Sequence, residues 1–483
     1  MVIDALKYQI LQQFGFVPTE EQGQALDAFA RFLTDRDPDA VMILRGSAGT
    51  GKTSLSGAIV RTLKAIRQKV MLLAPTGRAA KVFSLNSGCP AYTIHRRIYR
   101  EKSFAGVDGQ FNLNDNLFTD TLFMVDEASM ISNLGLGGGN FGSGCLLDDL
   151  VRFVYQGHND RLMLIGDKAQ LPPVGEEESP ALNRMMLEGY GLKVYECDLN
   201  EVLRQSQESG ILYNATVIRQ MITHDDITQL PLIRFKGFAD IVMMPGNELV
   251  DSLANSYYRV GQDETMVITR SNKRANIYNN GIRNMVLDRE DELSCGDMLM
   301  IVKNNYFWTE KERNEAKEAL NAIPPFLANG DRAKVLRVSR HMELYGFRFA
   351  TLLLQFPDYD NYEMSVTALL DTLQSEAPAL THEQQEQLFH GVEEDYQDVP
   401  LKADRMKAIR GDQYFNALQV KYAYAITCHK AQGGQWEHVY VDQGYMTDDM
   451  LTPDYIHWLY TAFTRAKDKL FLVNWPKTQT EQA

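Results

Sequence analysis

Positive charge is scarce in this chain: 49 Lys and Arg face 63 Asp and Glu over 483 residues, a formal net charge of −14 with a pI near 5.2. Such a balance speaks against a broadly basic surface that would gather polyanions from all sides. The deficit is local, because residues 358–398 hold eleven acidic side chains and no Lys or Arg, which leaves about −3 for the rest. Cysteine is equally sparse. Cys89, Cys145, Cys197, Cys295 and Cys428 are scattered with no C-x-x-C pair, which argues against zinc, an iron–sulfur cluster or a disulfide framework. No run of eighteen apolar residues exists, so no membrane span is expected. The stretch MVIDALKYQI lacks a basic, apolar signal region, and the expected location is the cytoplasm. Hydrophobic content of 45% and charge of 23% are globular values, and 483 residues exceed what one core holds, so three or four folded units are expected.

Against these absences stands Gly46-Ser47-Ala48-Gly49-Thr50-Gly51-Lys52-Thr53, which satisfies G-x-x-x-x-G-K-[ST] and directly follows the apolar run Val41–Leu44. A strand, a glycine-rich turn and a helix start in that order make a phosphate-binding loop rather than a chance turn. The backbone of Gly46, Ala48, Gly49, Thr50 and Gly51 is expected to wrap a polyphosphate. Lys52 then bridges its β- and γ-phosphates, and the Thr53 hydroxyl ligates Mg²⁺. Thr121–Val125 reads as a buried parallel strand ending in Asp126-Glu127. Alone that is an ordinary strand end. Beside a phosphate loop, Asp126 becomes the candidate for the Mg²⁺ shell and Glu127 the candidate general base toward water. The cofactors expected are therefore ATP and Mg²⁺.

A third strand, Arg161–Ile165, runs into Gly166-Asp167-Lys168-Ala169-Gln170-Leu171-Pro172-Pro173-Val174. On this block the chain resembles the superfamily 1 helicases, whose third motif carries a glutamine, here Gln170, that contacts the γ-phosphate. Further blocks resemble the family in order. Thr19-Glu20-Glu21-Gln22 is similar to the adenine-reading motif, Ala74–Ala80 with Pro75 and Thr76 to the first strand-contacting motif, and Thr93-Ile94-His95 to the next. Val202-Leu203-Arg204-Gln205 resembles the arginine-bearing fourth motif, Ala425–Gly433 with His429 and Lys430 the fifth, and Tyr460–Ala466 with Arg465 the sixth. The combination is most similar to the RecD and Dda-type subgroup, which implies a 5′-to-3′ DNA helicase acting on single-stranded and forked duplex DNA.

Residue chemistry adds to the resemblance. A motor hydrolysing ATP between two domains needs positive charge from across the cleft, and Arg204 and Arg465 are the candidates. Thr76, His95, His429 and Lys430 offer hydroxyl, imidazole and ammonium groups to a strand backbone. The fold class expected is α/β, with two RecA-like P-loop domains of parallel sheet. The first spans 1–95 and 119–213, the second 214–289 and 420–483. Residues 96–118 are expected to form a β-hairpin pin, with Phe104 or Phe111 stacking at the fork or simply packing inward. Residues 290–419 are expected to hold a small β-barrel insert, where Asn304 and Asn305, with Lys303 and Tyr306, either touch the strand or form a plain strand end. Gln374–Gly391 reads as a helical run beyond the minimal barrel. The acidic stretch 358–398 reads as a solvated face or mobile insert, with a basic protein partner as the other possibility. The Gly135–Gly144 tract, six glycines in ten residues, reads as a flexible loop. A monomer is expected. Two other function classes stay open: a subunit of a larger assembly whose ATPase is vestigial, although none of Lys52, Glu127, Arg204 and Arg465 is missing, and a P-loop ATPase acting on RNA or on protein.

Overall fold

Unbroken apolar runs, rather than alternating ones, mark strands buried on both faces, and these runs build the first sheet. The computed structural model describes residues 2–101, 111–135, 142–201, 208–224, 228–315, 323–324 and 326–481. In chain order its first strands are β1 (Ala40–Gly46), β2 (Lys69–Ala74) and β3 (Ala91–Thr93). An antiparallel pair follows, β4 (Tyr99–Glu101) and β5 (Phe111–Leu113), and then β6 (Thr121–Val125), β7 (Arg161–Gly166) and β8 (Lys193–Leu199). The six parallel strands lie in the order β3-β2-β6-β7-β1-β8. Every residue of β1, β6 and β7 is buried. Alternate side chains of β1 feed two cores: Met42 and Leu44 pack with Phe29, Leu55 and Ile59 on one face, while Val41 and Ile43 pack with Leu150 and Phe153 on the other.

The second half repeats the scheme with an interruption. Strands β9 (Ile241–Met244) and β10 (Thr265–Thr269) are followed by β11 (Met298–Ile301), β12 (Arg332–Leu344), β13 (Phe347–Phe356), β14 (Tyr362–Leu369) and β15 (Leu418–Tyr422). The chain then returns through β16 (Ala425–Thr427), β17 (Trp436–Asp442) and β18 (Ala466–Val473). The parallel order is β16-β10-β17-β18-β9, and β11 to β15 close into a barrel sealed by the parallel pair β14–β15. Two RecA-like sheets, a closed five-stranded barrel and a small hairpin are thus the architecture. No helix among the described residues is long and apolar enough to cross a membrane.

The acidic interval is more ordered than a mobile insert. It contributes β14, then a helix whose start is fixed by a reciprocal cap: Thr381 accepts from the Gln384 amide while the Gln384 side chain accepts from the Thr381 amide. That helix therefore spans His382–Asp395 rather than beginning at Gln374, and it buries Leu388, Phe389 and Val392 against Phe347 and Phe349 at the barrel end. Its carboxylates Glu383, Glu386, Glu394 and Asp395 are exposed.

The barrel is pinned to the second sheet by one carboxylate. Asp297, fully buried, accepts from Arg283 at 3.1 Å, Arg289 at 2.8 Å, the Tyr424 hydroxyl at 2.9 Å and the Ser294 amide at 2.7 Å. Removing a partner from such a pair leaves an uncompensated buried charge. Asp297→Ala should therefore lower stability by about 3–5 kcal/mol, read as a fall in the urea midpoint. Arg283→Met should cost less, because Asp297 keeps its three other donors. Equal midpoints for the two variants would show that Asp297 is not the organising charge.

Candidate functional site

Strand β1 lies between β7 and β8, and its exit opens into the glycine-rich loop at the carboxyl edge of the sheet. The loop needs glycine where it has it. Gly49 and Gly51 hold φ of 77° and 80°, and a Cβ on Gly46 would sit 2.8 Å from Lys52 Cγ. The helix Lys52–Ala65 starts with no side-chain cap, leaving its first amides to a ligand. Lys52 Nζ rests on the carbonyls of Gly46 at 2.5 Å and Ser47 at 3.0 Å. Thr53 stands in that helix's first turn.

At the end of β6 the backbone turns sharply, with Glu127 at φ 53°, a left-handed conformation that costs a residue with a Cβ of order 1 kcal/mol. Asp126 accepts from the Glu127 amide at 2.9 Å. Burial, then the Glu127 charge, push the Asp126 carboxyl up to about 7. A hydroxyl and a carboxylate are hard oxygen donors of the kind Mg²⁺ takes, and a divalent cation would offset the burial penalty on Asp126. Thr53 and Asp126 therefore fit the expected ion.

Gln22 is held by the chain on two sides. Its carbonyl accepts from the Thr19 amide at 3.0 Å and its Nε2 donates to the Thr50 carbonyl at 2.9 Å, so it ties the Glu20–Thr34 helix to the phosphate loop. Reading of an adenine base would fall to its one remaining N–H. Arg204 and Phe104 lie outside the described residues, as do the Phe111 side chain and residues 136–141 of the glycine-rich tract.

The second half reaches the phosphate loop through one helix, Pro453–Phe463. His457, Tyr460 and Thr461 stand at i, i+3 and i+4 on a helix that is largely apolar and buried beyond its exposed first residues Pro453 and Asp454. The Tyr460 hydroxyl accepts from the Ala48 amide at 3.0 Å and donates to Asp167 Oδ2 at 2.7 Å. Thr461 Oγ1 accepts from the Leu171 amide at 2.8 Å, and a His457 ring nitrogen lies 2.9 Å from the Ala169 carbonyl. Gln432 Nε2 adds a bond to the Leu171 carbonyl at 2.7 Å. These contacts went unread in the sequence, although three polar residues along one stripe of an apolar helix were the available signal.

Gln170 sits inside this junction, 7% exposed, with its Oε1 lacking a hydrogen-bond partner. Arg465, 3% exposed, is held by the Thr461 carbonyl at 3.0 Å, the Gly434 carbonyl at 3.1 Å and Thr464 Oγ1 at 3.1 Å. All its acceptors are neutral, and no carboxylate pairs with it among the described residues. A buried guanidinium without an anion is rare enough to mark a place for one.

Other candidates fall into two groups. Thr76 caps the helix Gly77–Ser87 by accepting from the Ala79 amide at 3.2 Å, with Pro75 just before it. Gly433, at φ 72°, approaches so closely that an added Cβ would meet Thr76 Oγ1 at 3.2 Å. The Thr76 block and the block bearing His429 and Lys430 thus meet across the two halves. His429 is exposed and Lys430 half-buried. His95 instead packs on Tyr99 at 5.7 Å, and burial lowers its imidazole to about 4, so it is neutral near pH 7. Asn305 is spent on the chain: its Nδ2 donates to the Asn416 carbonyl at 3.0 Å and its Oδ1 accepts from the Trp308 amide at 3.3 Å. Asn304 accepts from the Asn329 amide at 2.7 Å, Lys303 donates to Gln385 at 3.2 Å, and Tyr306 stacks on Phe326 at 4.8 Å. The strand-end alternative describes this group better than a strand contact does.

With this geometry in view, the known proteins fall into place. The AAA domain family matches residues 19–220, and the UvrD-like helicase C-terminal domain family matches residues 422–473. An uncharacterized protein of Methanocaldococcus jannaschii is 33% identical over 171 residues, 33% of this chain and 14% of that one. The ATP-dependent RecD2 DNA helicase of Deinococcus radiodurans is 30% identical over 157 residues, 32% of this chain and 18% of that protein. The alignment thus spans less than a fifth of either relative. A solved Pif1 helicase from Bacteroides in complex with ADP-AlF3 and ssDNA has 13% identity and a TM-score of 0.47, covering 97% of this chain and 95% of that one. The AAA and UvrD-like matches lie on either side of the junction that Tyr460 bridges, and with the RecD2 match they support the resemblance to superfamily 1 helicases of the RecD type.

Proposed function

We propose that this chain is an ATP-dependent DNA helicase that moves 5′-to-3′ along a single strand and opens duplex at a fork, driven by Mg-ATP hydrolysis. The observation that carries this reading is Arg465, buried without a carboxylate partner just past the helix whose Tyr460 touches the phosphate loop. A cation so placed calls for an anion, and the loop opposite is shaped for a polyphosphate. Gln170 adds a buried oxygen without a hydrogen-bond partner, in the block that Tyr460's helix contacts.

In this reading Lys52 leaves the loop carbonyls and takes the β- and γ-phosphate oxygens, while Thr53 and Asp126 hold the metal. Held by those two residues, Mg²⁺ would supply charge neutralisation toward the nucleotide phosphates. Glu127 orients and deprotonates the attacking water, and Arg465, joined by Arg204, stabilises charge that develops on the transferred group. Residues 1–95 with 119–213 and residues 214–289 with 420–483 act as the two motor domains. Residues 96–118 serve as the pin and residues 290–419 as the barrel insert. Thr76 and Lys430 grip successive strand phosphates as the cleft closes and opens, and the protein works as a monomer on forked DNA. The 5′-to-3′ direction is supported by the resemblance of its motifs to the RecD and Dda-type subgroup.

Three outcomes test the assignment. Lys52→Ala and Glu127→Gln should both abolish unwinding, but only Glu127→Gln should keep substantial ATP affinity, measured with a fluorescent nucleotide; near-normal hydrolysis by Glu127→Gln would remove Glu127 from the role of base. Arg465→Ala should lose turnover on the order of 10³-fold with a far smaller change in nucleotide affinity. Arg465→Lys should not restore it, because a point charge lacks the planar fork. A duplex with a 5′ single-stranded tail should be unwound and one bearing only a 3′ tail should not, and the opposite preference would reverse the direction proposed.

A further inference from the structure

Arg78, two residues past Thr76 in the first turn of the helix Gly77–Ser87, crosses from the first half to the second. Its Nη2 donates to the Gln435 carbonyl at 2.9 Å, and its guanidinium lies over the Trp436 ring at 4.5 Å. Trp436 opens β17 and is 1% exposed. Nε and Nη1 of Arg78 are buried without a hydrogen-bond partner, and no carboxylate pairs with the side chain among the described residues. The fork is therefore spent on an aromatic face and a carbonyl of the opposite half, not on an anion. Glycine makes room for it: a Cβ on Gly434 would lie 2.7 Å from Trp436 Cη2 and 3.0 Å from Arg78 Nε.

The turn that receives Arg78 is also the turn that holds Arg465. Arg465 Nη1 donates to the Gly434 carbonyl at 3.1 Å, and the Trp436 amide donates to the Arg465 carbonyl at 2.9 Å. Gln435 Nε2 donates to the Thr464 carbonyl at 3.3 Å. Residues 434–436 thus meet Arg78 on one side and fix Arg465 with its neighbour on the other. The path from Thr76 to Arg465 runs through one helical turn, one guanidinium and one short turn, and close packing leaves little slack along it. Arg332 of barrel strand β12, 3% exposed, lies 5.8 Å from the same ring, with Nη1 donating to the Asp263 carbonyl at 2.7 Å. Two guanidinium groups beside one indole repel each other, which keeps the Arg78 contact weak enough to part and re-form.

We propose that Arg78 is a positioning residue for ATP hydrolysis, which carries the state of the turn at Thr76 across the seam to the turn that aims Arg465. The proposal rests on the helicase reading and gives strand stimulation of ATP turnover a physical route. A strand seated at Thr76 fixes the start of the helix, Arg78 then holds residues 434–436 in place, and Arg465 is presented to the nucleotide phosphates. Without the strand, the Arg78 contact parts more readily and Arg465 is presented less often.

The test is steady-state ATP hydrolysis titrated with oligothymidylate, which separates the plateau of stimulation from the half-saturating strand concentration. Arg78→Met keeps the stem and removes the charge, and should lower the ratio of plateau to unstimulated turnover by about tenfold, as loss of a cation over a buried ring implies. Its half-saturating concentration should change far less. Arg78→Lys keeps a cation for the ring and a donor for the Gln435 carbonyl, and should recover most of the ratio. Circular dichroism on each variant establishes folding. A wild-type ratio in Arg78→Met overturns the proposal. A wild-type ratio reached only at much higher oligothymidylate would make Arg78 a ligand of the strand itself and likewise overturn it. Absence of any stimulation of the wild type by oligothymidylate would instead defeat the helicase reading.

Discussion

The architecture depends on a hydroxyl group. Tyr460, carried on a helix of the second half, accepts from the backbone amide of Ala48 in the phosphate loop and donates to Asp167 at the end of β7. Both partners are buried or half-buried, so separating the halves without a replacement ligand leaves a donor and an acceptor unmatched, at about 1–3 kcal/mol each. In the helicase reading, a nucleotide phosphate competes for amides of this same loop. Occupancy of the loop and the closeness of the two halves then bias one another, as linked equilibria must.

Apolar packing reinforces the hydroxyl. Ala169 and Leu171 belong by sequence to the first half, yet they are buried in the hydrophobic core of the second, alongside Ile456 and Leu459. The block holding Gln170 is therefore anchored on both sides of its glutamine by apolar contacts that belong to the opposite sheet. A shift of the second sheet must move the backbone around Gln170, because close-packed interiors transmit displacement rather than absorb it. Chemistry at the loop and movement of the sheets share a mechanical part of only a few residues.

Much of this was legible in the sequence because the relevant signals are local. The strand-glycine-helix order around Lys52, the apolar run ending at Asp126 and the helix Pro453–Phe463 each declare themselves within a window of about fifteen residues. Barrel strands β14 and β15 escaped notice. The first lies inside a stretch whose acidic residues suggested solvent, and the second is separated from it by two helices. Asn305 and Gln22 carry polar groups suited to a ligand, but whether an amide faces a ligand or its own backbone is decided by tertiary contacts hundreds of atoms away.

Strand β15 ends at Tyr422 and β16 begins at Ala425, so only Ala423 and Tyr424 separate the barrel from the second sheet. Tyr424 is itself tethered: its hydroxyl donates to Asp297 and its amide to Asn279, with Asn279 also holding the Ala425 amide. At the barrel's entry the same Asp297 fixes Arg283 and Arg289. Entry and exit are clamped by one buried carboxylate, so a swing of the barrel against the second sheet would have to part Asp297 from at least one of its donors.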